Sequence, residues 1–119
     1  MGTDAGALKQ RTQEFALQVF KLVDALPRSR SEEIIGNQLA KAASSIGANY
    51  RAACRGRSKA DFISKITIVE EEADETQYWL ELLMNIGKTN QREIITLLEE
   101  AKELTAIFTA SGKTAKQNR

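Results

Sequence analysis

Apolar side chains recur at every third or fourth position in four blocks, separated by short polar segments. Phe15, Val19, Leu22 and Leu26 form the first stripe, widened by Ala16, Phe20 and Val23, and predict a helix over about residues 7–26. Pro27 ends it, because proline supplies no amide hydrogen and its ring clashes with the preceding turn. In the polar connector that follows, Ser29 stands three residues before Glu32, the spacing of a capping box.

Ile35, Leu39, Ala42, Ile46, Asn49 and Ala53 predict a second helix over about residues 32–54. Its centre is lean, with Ala43, Ser44, Ser45, Gly47 and Ala48 in sequence. Gly47 costs a helix about 1 kcal/mol relative to alanine, so a closely approaching neighbour is the expected compensation. Ser58 and Asp61 mark the start of a third helix over about residues 58–86, where Phe62, Ile66, Val69, Ala73, Thr76, Leu80 and Leu83 hold a heptad-like rhythm as far as Gly87. Asn90 and Glu93 repeat the capping spacing, and Ile94, Leu97, Ala101, Leu104 and Phe108 predict a fourth helix over about residues 90–110. Ser111 and Gly112 are read as its end, and the tails 1–6 and 111–119 are expected to fray.

Four amphipathic helices on short connections predict an all-α fold, an antiparallel up-and-down four-helix bundle, with residues 1–119 as one domain. Composition agrees: aromatic residues are only 6% and proline occurs once, too few β and turn formers for a sheet protein. Histidine is absent, which removes the commonest general base and metal-binding nitrogen. No enzyme activity, cofactor or metal site is expected. Cys54 is the sole cysteine, so no internal disulfide forms, and a cytoplasmic location is expected. No apolar run reaches the ~20 residues of a membrane span, and no membrane partner is expected.

The 17 basic and 16 acidic groups nearly cancel, but their placement is uneven. Arg51, Arg55, Arg57 and Lys59 gather around the turn between the second and third helices, where the only nearby acid is Asp61. They are the candidates for contact with a protein partner or a nucleic acid. Glu70, Glu71, Asp74 and Glu75 form an acidic run on the third helix. Bundles that hold metal pairs combine such carboxylates with histidine, so here they are read as a charged face for pairing between copies of the chain. Apolar groups outside the main stripes, Phe20, Ile63, Tyr78, Trp79, Leu82 and Ile95, either widen one core or cover a second surface. Ser45 and Asn49 lie one turn apart on the second helix and predict an inter-helix polar network. Cys54 is read as a small packing residue.

Gln38-Leu39, Ala42-Ala43, Ser45-Ile46, Asn49, Arg57-Ser58, Phe62-Ile63 and Glu75 occur at a characteristic spacing. In these residues the chain resembles the bacterial four-helix-bundle proteins related to those encoded in intervening sequences of large-subunit ribosomal RNA. The resemblance covers about residues 12–108. It implies an antiparallel bundle that assembles as a homo-oligomer, a pentamer in some relatives, and serves as a scaffold or accessory subunit. Relatives also include a retroelement accessory protein that binds a reverse transcriptase and nucleic acid, so nucleic-acid binding through the basic turn is the alternative expectation.

Overall fold

The computed structural model describes residues 4–118. Four helices, α1 (Ala5–Asp24), α2 (Arg30–Cys54), α3 (Lys59–Ile86) and α4 (Gln91–Gln117), run up and down in chain order through turns at 25–29, 55–58 and 87–90. The body measures 47 × 23 × 20 Å, the proportions of a rod.

Local chemistry sets most of the boundaries. Ser29 accepts from the Glu32 amide at 3.1 Å, Ser58 from the Asp61 amide at 3.0 Å, and Asn90 from the Glu93 amide at 3.3 Å. Each satisfies one of the amides that a helix start leaves without an intrahelical partner. Gly87 ends α3 at φ 75°, a left-handed conformation that costs glycine nothing.

Along the bundle axis Phe15, Leu22, Leu39, Ile46, Ile66, Leu80, Leu83, Ile94, Leu97, Leu104 and Phe108 are almost wholly buried. Full burial of such a side chain stabilises the fold by about 1.5–3 kcal/mol each. Tyr50 on α2 crosses the axis to meet Phe108 on α4, ring centroids 5.2 Å apart. Thr12 and Thr76 are buried as well, and each returns its hydroxyl proton to a carbonyl of its own helix, Leu8 and Glu72. Buried hydroxyls therefore carry no unpaired donor there.

The lean centre of α2 has the consequence expected of it. A Cβ on Gly47 would lie 3.0 Å from the Thr12 hydroxyl oxygen, so α1 and α2 approach so closely that a side chain here would have to push Thr12 back by a few tenths of an ångström. Gly112 overturns an expectation. The fourth helix does not end at Ser111-Gly112 but continues to Gln117, and Gly112 is buried within it. A Cβ there would meet Ile66 Cγ2 at 3.2 Å and Glu70 Oε1 at 3.1 Å on α3. The residue read as a terminator is the place where α3 and α4 touch, and that packing outweighs its poor helix propensity.

Candidate interaction surfaces

The cations of the α2–α3 turn follow from where α2 stops. Arg55 caps α2, Arg57 sits in the turn and Lys59 opens α3, while Arg51 lies one turn earlier, in the last turn of α2. All four are exposed. They share one end of the bundle but not one face, since Arg51 lines a cleft with Lys9, Gln13 and Ala16 on the α1 side. The Arg57 amide donates to Asp61 Oδ2 at 3.2 Å, and Lys65 pairs with Asp61 Oδ1 at 3.3 Å. The Arg57 amide, then Lys65, holds the Asp61 carboxyl below its ordinary range, so the turn's one acid is neutralised locally and leaves the arginine heads free.

The extension of α4 adds two lysines to this end, from a segment expected to fray. Lys59 donates through Nζ to the carbonyl of Asn118, which sets the last turn of α4, with Lys113 and Lys116, beside the basic turn. Past Gly112 only Ala115 is apolar, so no periodicity in the chain marks this extension.

The acidic run divides. Glu70 points to α4, where it accepts from the Thr109 hydroxyl at 3.0 Å. One of its oxygens is thus engaged within the chain, which sets it apart from the rest of the run. Glu71, Asp74 and Glu75 are exposed, and Glu75 accepts from the Trp79 indole at 3.2 Å. Half-buried Glu72, in the same run, has its carboxyl pushed up by burial first and by Glu75 and Glu71 next, partly offset by Lys41 across the α2–α3 groove.

Ser45 and Asn49 do not build the expected inter-helix network. Asn49 donates to the Ser45 carbonyl of its own helix at 2.9 Å, and it sits half-buried at the edge of α2 while Tyr50 takes the core position. Inter-helix polar contacts fall elsewhere. Gln77 on α3 donates to Thr105 on α4 at 2.7 Å. Arg11 on α1 grips Glu100 on α4 with two bonds of 2.7 Å and Glu103 with one of 2.8 Å, and these carboxylates, Glu100 foremost, hold its guanidinium still more firmly in the charged form. No local pattern announces a pair 89 residues apart.

Outside the core, α3 carries a second stripe at heptad spacing, Ile68, Glu75, Trp79, Leu82 and Ile86. The contacts of Glu70, Gln77 and Thr109 put α4 on the other flank of α3, so this stripe borders α2. Across the groove, Ile34 lies on the flank of α2 away from Gly47 and α1. Ile34 is 54% exposed, Tyr78 53% and Ile68 37%. Tyr78 stacks edge-on against Trp79 with centroids 5.0 Å apart.

Residues 7–110 match the model of the 23S rRNA-intervening sequence protein family. The chain belongs to that family. Among solved structures, this 23S rRNA-intervening sequence family member is similar to a protein with unknown function from the S23 ribosomal protein family of Bacteroides thetaiotaomicron. The two are 31% identical, the match covers 92% of this chain and 97% of that one, and the TM-score is 0.83. No curated protein matches it. Among the described residues of this family member, no helix is long and apolar enough to cross a membrane.

Proposed function

We propose that the protein is a non-catalytic, cytoplasmic scaffold or accessory subunit that assembles with copies of itself, a pentamer being the stoichiometry its resemblance implies. The observation that carries this reading is the apolar border of the α2–α3 groove. Ile34, Ile68 and Tyr78 stand in solvent along it, Tyr78 against half-buried Trp79, on a chain whose core is already filled. Exposed Glu71, Asp74 and Glu75 rim the same region, and the free arginines of the turn offer them partners from a neighbouring copy. Light scattering after size exclusion, at micromolar concentration and moderate salt, tests it. An oligomer is expected, and Tyr78→Lys with Ile34→Lys is expected to give a helical monomer. A wild-type monomer under those conditions sinks the reading.

A second reading has its own support. Lys113 and Lys116 join Arg51, Arg55, Arg57 and Lys59 at one end of the rod, a concentration of cations suited to phosphates. It predicts an affinity for a 20-nucleotide RNA that falls steeply with salt in fluorescence anisotropy. Replacing Arg51, Arg55 and Arg57 by alanine is expected to flatten that slope, and salt-independent or absent binding rules against it.

A further inference from the structure

The groove between α2 and α3 is not the only apolar surface in solvent. On α1, Leu17 is 53% exposed and Phe20 40%, and residues three apart are neighbours on a helix surface. Lys21, one turn on from Leu17, borders the pair. The outer face of α4 differs, since its exposed Ile95 stands between Arg92 and Glu99, one turn to either side. Gly36 and Gly47 turn one flank of α2 to Val23 and Thr12 of α1, and the groove lies along its other flank. Helix α2 therefore separates the two apolar faces, and they do not meet within one chain.

Their heights along the rod agree. Counted from the 55–58 turn, Ile68 stands about 10 residues along α3, and Ile34 and Tyr78 about 20 along their own helices. Thr12 is level with Gly47 and Val23 with Gly36, about 7 and 18 residues from the same turn. Leu17 and Phe20 lie between Thr12 and Val23, so they stand at the height of the interval between Ile68 and Tyr78. Lys21 falls level with exposed Glu75, about 16 residues along α3, while Asp24 lies beyond the acidic run. A flank of 47 × 23 Å has room for the roughly 800 Å² that each partner of a stable pair covers.

We propose that the two faces are the two halves of one contact. The α1 face of one copy, Leu17 and Phe20, seats against Ile34, Ile68 and Tyr78 on the α2–α3 groove of the next, with the same end up, and Lys21 meets Glu75 there. This pairing rests on the self-assembly proposed above and supplies its second surface. A contact between two different faces leaves each copy with one of each unused, so it repeats from copy to copy until a ring closes. Pairing of groove with groove would instead stop at a dimer and leave α1 in solvent.

The test compares wild type with two variants by light scattering after size exclusion. Leu17→Lys with Phe20→Lys breaks the α1 face, and Ile34→Lys with Tyr78→Lys breaks the groove. All four positions are exposed, so both variants are expected to keep the wild-type helical circular dichroism. Each alone is expected to be a monomer. Mixed in equal amounts at higher concentration they are expected to form a heterodimer, because the intact groove of the first meets the intact α1 face of the second. Lys21→Glu is expected to weaken assembly severalfold, and adding Glu75→Lys to the same chain is expected to restore it. A wild-type monomer removes self-assembly as a whole. A wild-type oligomer overturns the pairing alone if the α1-face variant assembles unchanged, if the mixture yields no heterodimer, or if Glu75→Lys fails to rescue Lys21→Glu.

Discussion

The seam between α3 and α4 and the seam between α1 and α4 join the same helix to its two neighbours by opposite means. At the first, Gly112 lets α4 settle so closely against Ile66 and Glu70 that even a methyl group would crowd them. At the second, the helices stand further apart and Arg11 reaches over to Glu100 and Glu103. Clefts open along that wider seam, one beside Phe15 and Gln18 and a larger one of about 510 Å³ lined by Leu8, Phe62 and Ile107. The difference separates two kinds of cohesion: contact that depends on shape and is indifferent to salt, and a charge-assisted clamp that salt screens.

Three substitutions would break or sharpen that contrast. The largest effect is expected at the tight seam, where Gly112→Val forces two branched carbons into Ile66 and the Glu70 carboxylate and should destabilise by about 1–3 kcal/mol. Urea midpoints would show it equally at low and high salt, and a neutral result would mean that α4 frays here after all. Next comes Arg11→Ala. Hydrogen bonds to charged groups contribute about 1.5–3 kcal/mol when buried, but the Arg11 side chain is 33% exposed, so about 1 kcal/mol is the discounted expectation. That loss should shrink towards zero in molar salt, and a salt-independent loss would assign it to packing of the side-chain stem instead.

The smallest effect at neutral pH, and one that grows only in alkali, lies on the diagonal that ties the two seams together. Burial, and then the neighbouring Cys54, pushes the Tyr50 phenol above its ordinary value. Its raised folded value contributes stability that is whole below the unfolded tyrosine value of about 10 and is lost as pH rises beyond it, since the unfolded chain ionises first. Tyr50→Phe removes that titration. The difference in unfolding free energy between wild type and variant should therefore stay constant to about pH 10, and above it the wild type should lose up to about 1.4 kcal/mol per pH unit relative to the variant. A gap that stays constant to pH 12 would contradict the burial argument.

These features were not equally readable in the chain. Helix starts were, because Ser29, Ser58 and Asn90 each act on the amide three residues on and leave a local signature. So was Gly87, where the backbone itself turns left-handed. Gly112 was not, because nothing within its own helix distinguishes a stop from a point of contact, and Ile66 supplies the answer from another helix. Asn49 and Tyr50 are adjacent, and a strict heptad count favours the first, whereas the α2 stripe drifts so that the larger residue faces Phe108. Glu32 was visible as a capping partner, but its burial depends on the turn that folds over it. The free arginines of the α2–α3 turn were legible from charge alone, while Lys113 and Lys116 needed the full length of α4 to reach them.

The clamp at Arg11 has a consequence for how the molecule opens. Helix α1 is held closely by α2 along one flank and by a few part-buried polar bonds along the other, so it has less to lose by detaching than α2 or α3, which are gripped on both sides. Partial unfolding that costs less than global unfolding is expected to begin there. In deuterated solvent the amides of α1 should exchange through that lower-energy route, as a separate cooperative unit, while the three remaining helices keep their protons.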